Sequence, residues 1–300
     1  MKIIIYGGKG WIGDQLVKLL NNHEIHYGSS RVDDTGSVER EIIEINPTHI
    51  ICTIGRTHGT DNNKIYPTID YLEIPGKLRE NIKDNLFAPM VLAILCVKYN
   101  VHLTYMGTGC IFEYDKDHPF GQEINGFTEG SKPNFFNSSY SIVKGFTDEL
   151  MHLFELNVLN VRIRMPITDT YNGRNFITKI IKYEKICSVP NSMTVLPELL
   201  PYLVDMIERK VVGTINLVNP GLISHDEILM MYKEIVSPSF EWKNFSVQEQ
   251  SKILAAGRSN NYLSTDKLEH MYPSVKNIKD AVRDVLYQMK LNLSEQHFIG

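Results

Sequence analysis

The opening stretch constrains the fold most: Ile3-Ile4-Ile5-Tyr6, then Gly7-Gly8-Lys9-Gly10-Trp11-Ile12-Gly13, then Leu16, Val17, Leu19 and Leu20 at helical spacing. An unbroken β-branched run reads as a strand buried on both faces, the habit of parallel sheets. Glycines at 7, 10 and 13 let the backbone turn sharply and approach a pyrophosphate, which would rest on the amides of a helix N-terminus. A glycine turn without a ligand has the same local sequence; the flanking strand and helix favour the cofactor. The stretch therefore predicts a doubly wound α/β sheet with Gly7, Gly10, Trp11, Ile12 and Gly13 at a dinucleotide.

Further strands are expected near 24–27, 49–54, 101–105, 158–165 and 214–218, and helices over 38–46 and about 71–99. Another helix begins near Tyr140, capped by Ser138 or Ser139. The expected division is a Rossmann domain, 1–166 plus about 211–220, and a smaller α/β cap from about 167–210 and 221–300. With 300 residues, 43% of them hydrophobic, a large core is within reach. A net charge of -4 argues against a nucleic-acid surface. No apolar run reaches the ~20 residues that span a bilayer. Met1 runs directly into a strand, so no signal peptide is expected. The four cysteines include no CxxC pair, so reduced thiols and a cytoplasmic setting are expected. No metal site is expected, since His58 has no second ligand at a suitable spacing.

The chemistry gathers after the strand Val101–Tyr105. Thr108 and Cys110 follow its carboxyl end, where open α/β sheets place ligands. Tyr140 and Lys144 are four residues apart and share a helix face. Lysine charge lowers a tyrosine pKa, tyrosine protonates a nascent alkoxide, and threonine holds the carbonyl oxygen. Together they read as a short-chain dehydrogenase/reductase site. Among fifteen tyrosines, about one chance match to Tyr-x-x-x-Lys is expected. A second match, Tyr272 and Lys276, contains Pro273 and has no preceding strand with Ser or Thr, so Tyr140 is preferred.

Beyond the second strand stand Ser29, Ser30 and Arg31 rather than the acid that holds a ribose 2′-hydroxyl. Hydroxyls and a guanidinium suit a 2′-phosphate and point to NADPH. Asn85 reads as a substrate contact or a brace for the catalytic helix. In the cap, Arg174, Asn175, Arg258 and Asn260 suit a diphosphate and sugar hydroxyls.

Assembled, the chain resembles the bifunctional UDP-4-keto-6-deoxyglucose 3,5-epimerase/4-reductases, or UDP-L-rhamnose synthases, a branch of the extended short-chain dehydrogenases similar to GDP-fucose synthase and dTDP-4-dehydrorhamnose reductase. The specific stretches are Thr108-Gly109-Cys110-Ile111-Phe112-Glu113-Tyr114-Asp115 and Arg174-Asn175-Phe176-Ile177-Thr178-Lys179. Arg162 with Arg164-Met165-Pro166, Pro190-Asn191-Ser192-Met193-Thr194 and Arg258-Ser259-Asn260-Asn261 add to them.

The resemblance implies NADPH, a UDP-sugar substrate and UDP-L-rhamnose as product. Thr108, Tyr140 and Lys144 become the reductase residues, and Cys110 with Lys179 the epimerase pair. Fucose synthases use Cys with His; here the matching region offers Lys179, with Lys185 close by. A homodimer and a separate 4,6-dehydratase upstream are also implied. A plain 4-ketosugar reductase, with Cys110 a buried small hydrophobe, and a silent NADPH-binding regulatory module are the alternatives.

Overall fold

A computed structural model describes residues 1–154 and 156–298, with side chains to residue 293. Six parallel strands form the central sheet: β1 (Lys2–Tyr6), β2 (Glu24–Tyr27), β3 (His49–Cys52), β4 (His102–Thr108), β5 (Val158–Ile163) and β6 (Gly213–Asn216). They lie in the order β2-β1-β3-β4-β5-β6. The order reverses between β1 and β3, so the crevice at their carboxyl ends is a topological switch point. The expected Rossmann-type sheet is present, and all six expected strands belong to it.

Helices α1 (Trp11–Leu19), α2 (Thr35–Ile45), α3 (Ala88–Tyr99) and α4 (Ser139–Met151) cover the sheet, followed by α5 (Phe176–Ile180), α6 (Leu196–Glu208), α7 (His225–Ile235) and α8 (Ile278–Phe298). Gly7 has φ +86°, a conformation that side chains with a Cβ resist, and a Cβ at Gly13 would strike the Gly7 carbonyl. The first turn of α1 therefore packs close against the β1 loop. Ser138 caps α4 by accepting from the Ser141 amide at 3.0 Å.

Three boundaries differ from expectation. The helix expected over about 71–99 is interrupted: Ile69–Glu73 is a 3-10 turn, helix resumes at Leu78–Ile82, and a π-helical turn at Lys83–Phe87 leads into α3. Pro75 and Gly76, the latter at φ +90°, cause the break. Strand β5 stops at Ile163, two residues short of the expected end, because Met165 turns into the left-handed region at φ +40°. The division into domains also shifts. Leu196, Leu199, Leu203 and Met206 of α6 join one core with Ile3, Leu16 and Leu159, so α6 belongs to the sheet layers rather than the cap. The cap has its own core, in which Ile167, Ile177, Ile180 and Ile186 meet Ile228, Leu229, Val282 and Leu286 of α7 and α8. Among the described residues no helix is long and apolar enough to cross a membrane.

Arg162 and Asp148 anchor α4 to β5. Both are buried, joined by Nε–Oδ1 at 2.9 Å and Nη2–Oδ2 at 2.7 Å. Removing the guanidinium strands a buried carboxylate, which costs about 3–5 kcal/mol. Arg162→Leu is therefore expected to lower the urea midpoint sharply, and adding Asp148→Leu to recover part of the loss. A midpoint for Arg162→Leu within error of the parent would refute this.

Candidate active site

One cavity of about 990 Å³ runs along the carboxyl ends of the strands and under the cap. Its cofactor end is lined by Gly7, Gly10, Trp11, Ile12, Gly13, Ser30 and Arg31, and its centre by Thr108, Cys110, Tyr140 and Lys144. Arg174, Lys179, Arg258 and Asn260 line it from the cap. The fold thus gathers residues as far apart in sequence as Gly7 and Asn260 around one volume.

In the catalytic wall, Thr108 ends β4 and its Oγ1 accepts from the Cys110 amide at 3.1 Å. Tyr140 is held by burial well above its usual pKa, while a hydrogen bond with Thr108 pulls the other way. The phenol is therefore protonated near neutrality and fit to donate. Lys144 is pulled down to about 8 by burial. Its ammonium donates to the Tyr105 hydroxyl and to the Met106 carbonyl rather than lying against Tyr140. The expected lowering of the Tyr140 pKa by Lys144 is not seen: burial and the neighbouring Cys110 raise it, and the hydrogen bond with Thr108 is what opposes them. Cys110 is partly exposed and packs near Tyr71 and Tyr140, while Ser141 Oγ holds its carbonyl at 2.7 Å.

Lys179 stands in α5, half-buried, its pKa lowered by burial and by the cations Arg174 and Arg258. Lys185 lies exposed on a two-residue strand and does not line the cavity. Arg174 meets the His58 ring at 2.9 Å across the cleft, and burial lowers the His58 pKa. Arg258 is fixed by Asp70 at 2.6 Å.

Three expected contacts are reassigned. Ser29 turns away from the cavity, its amide and hydroxyl both donating to Glu41 at 2.7 Å. Asn175 is fully buried and caps α5, its amide nitrogen donating to Thr168 and Thr170 carbonyls, so none of it is left for substrate. Asn85 lines the cavity, but its side chain is taken by the Arg56 backbone and Asn81. Its own carbonyl accepts from Thr147 of α4 at 2.7 Å, so Asn85 braces the catalytic helix. Asn260 keeps its place on the cavity wall, with Oδ1 accepting from Asn191 at 2.9 Å.

Sequence reasoning missed Glu41. Burial raises its pKa, but hydrogen bonds from Ser29, Tyr6 and Ser30 outweigh this and hold it low. Glu41 thus orders the loop after β2 from beneath, on α2, and does not itself line the cavity. Its signal was a carboxylate between Val38 and Ile42 on the apolar stripe of an otherwise ordinary helix. At the rim, Arg31 pairs with Asp33 at 3.0 Å, and Asp33 also pairs with Lys83.

A parallel switch-point sheet, a glycine turn at β1 and a Thr–Tyr–Lys wall define a short-chain dehydrogenase/reductase with a substrate cap. No protein-family model matches the chain. Protein L780 of Acanthamoeba polyphaga mimivirus is 53% identical over 292 residues, 97% of this chain and 99% of that one. A crystal structure described as the L780 UDP-rhamnose synthase superposes with a TM-score of 0.92, covering 96% of this chain and 99% of that chain. A bifunctional dTDP-4-dehydrorhamnose 3,5-epimerase/reductase of Arabidopsis thaliana is 42% identical, over 95% of this chain and 92% of its own length. The chain also spans 42% of a trifunctional Arabidopsis protein whose name adds UDP-glucose 4,6-dehydratase, again at 42% identity. The chain belongs to the UDP-rhamnose synthase family of 3,5-epimerase/4-reductases.

Proposed function

We propose that the protein converts UDP-4-keto-6-deoxy-D-glucose to UDP-L-rhamnose, epimerising C3 and C5 and then reducing C4 with NADPH. The carrying observation is that Thr108, Cys110, Tyr140 and Lys144 line the sheet side of the cavity whose cap side carries Lys179. Inversion beside a ketone needs a proton removed from one face and returned to the other. Cys110, two residues past Thr108, is placed to act as base at C3 and C5. Lys179, with its pKa lowered, is placed on the cap to return the proton. Thr108 and Tyr140 hold the enolate oxygen, and Tyr140 then protonates the C4 alkoxide. NADPH supplies the hydride. The residues fit it: the glycine turn accepts a pyrophosphate, and Arg31 and Lys83 offer cations at the rim.

Incubation with NADPH and the 4-ketosugar, followed by NMR of the product, tests this. UDP-L-rhamnose is expected. A 6-deoxyhexose with C3 and C5 uninverted would leave the plain reductase standing, and no turnover would favour the silent module.

Cofactor choice follows from the rim. A charge-assisted contact contributes about 1.5–3 kcal/mol, so NADPH should exceed NADH by roughly an order of magnitude or more in kcat/KM. Arg31→Ala should shrink that ratio, and Asp33→Asn, which frees Arg31 and Lys83 from their carboxylate, should widen it. Equal efficiency with both cofactors in the parent enzyme refutes the assignment.

A homodimer through the nucleotide-binding domain is part of the proposal. Its support is the exposed apolar set Ile94 and Val97 of α3 with Phe146 and Leu150 of α4, two helices packed together. Phe146→Glu should give monomers by light scattering. The proposal also includes a separate protein that carries out the 4,6-dehydration supplying the substrate, and a cytoplasmic setting, which the four free cysteines suit.

A further inference from the structure

Lys144 is 4% exposed, yet among the described residues no carboxylate ion-pairs with it. Asp148, one helical turn on, is already taken up by Arg162 at 2.7 Å and by Asn160 at 2.8 Å. The ammonium has three donors. One goes to the Tyr105 hydroxyl and one to the Met106 carbonyl at 3.3 Å, leaving one for the cavity. Tyr105 is 1% exposed on β4, three residues before Thr108, packed in one core with Ala88, Val91 and Leu92 of α3. It does not line the cavity, so it stands behind the lysine.

We propose that Tyr105 is a positioning residue: its hydroxyl stations the Lys144 ammonium at the cavity wall and sustains its charge during reduction. The inference rests on Lys144 acting as described above. Cys52 of β3, Asp148 of α4 and Cys110 beyond β4 face Lys144 and favour its charge, but burial outweighs them and brings it to about 8. A hydrogen bond to the charged form favours that form. The Tyr105 phenol, pushed well above its usual range by burial, stays neutral and remains an acceptor. Removing its oxygen lowers the Lys144 pKa further, and the charge is lost at a lower pH.

The test is the pH dependence of kcat/KM for C4 reduction at saturating NADPH. The parent should lose activity on the alkaline side near the Lys144 value of about 8. Tyr105→Phe keeps the ring, and its alkaline limb should move about one pH unit toward acid. Its rate should fall roughly three- to tenfold at pH 8 and little at pH 6. Tyr105→Gln returns an amide oxygen, and its limb should stay within about 0.3 unit of the parent. A Tyr105→Phe profile lowered equally at every pH, limb unmoved, overturns the proposal, as does a Gln limb displaced toward acid by about one unit. If Tyr105→Phe does not fold, Tyr105→Gln is read alone by its own criterion. Lys144→Met separates the two layers. Loss of reduction there with an unmoved limb in Tyr105→Phe rejects Tyr105 only; an unchanged rate and limb in Lys144→Met rejects the site assignment itself.

Discussion

Tyr140→Phe should lower C4 reduction by a factor on the order of 10² or more while NADPH still binds. The change removes one oxygen from a ring that is otherwise buried against Tyr71 and Leu72, so packing is kept. What disappears is the proton donor, the group that burial keeps protonated through neutral pH. Single-turnover oxidation of NADPH, read by absorbance with the 4-ketosugar in excess, measures the step directly. Cofactor fluorescence supplies the binding control. Tyr272→Phe serves as the comparison, since Tyr272 lies away from the cavity and donates to Asp205. Normal reduction by Tyr140→Phe with loss in Tyr272→Phe would mean that the wrong tyrosine had been chosen.

Cys110→Ala should abolish epimerisation, by at least about 10²-fold, because a general base has no substitute at that position. The assay uses enzyme, oxidised cofactor and 4-ketosugar in heavy water, following deuterium at C3 and C5 by NMR. Parent and Tyr140→Phe should both exchange, the latter more slowly, since Tyr140 also holds the enolate. Lys179→Met should exchange without completing inversion, because Cys110 still removes the proton and nothing on the cap returns one. The two centres flank the same C4 ketone, so one pair of groups serves both in turn. Full exchange and inversion in Cys110→Ala would sink the assignment.

The two experiments are separable because the structure separates the groups. Tyr140 lies on α4, Cys110 on the loop after β4, and Lys179 on α5 of the cap. Ser141, next to Tyr140 on α4, holds the Cys110 carbonyl, so the base and the donor share a support. Met165, on the same cavity wall, sits at φ +40°, an arrangement costing about 1–3 kcal/mol in a residue with a side chain. Arg164 beside it is wholly buried, and its guanidinium donates to Asn191 Oδ1 and the Ser259 carbonyl, both at 2.6 Å. That one side chain ties the end of β5 to the two cap loops and fixes where the strained turn falls.

The sequence by itself determined the sheet, because continuous apolar strands and a glycine turn are local patterns that few other folds satisfy. Residues fixed by local spacing were legible for the same reason. Thr108 and Cys110 follow a strand end, and Tyr140 and Lys144 share a helical face. Tertiary structure alone decided which polar groups are left for ligands. Asn175 and Ser29 carry chemistry that suits a substrate or phosphate, but folding commits them to a helix cap and to Glu41. Lys179 and Lys185 differ by six positions and not in chemistry; only α5 brings the first to the cavity. Likewise α6 looked like cap until its apolar face met β1 and α1. A hydrogen bond between residues 39 positions apart, as from Lys144 to Tyr105, has no periodicity to announce it. Such pairings arise from burial, which forces each buried polar group to find a partner wherever the chain places one.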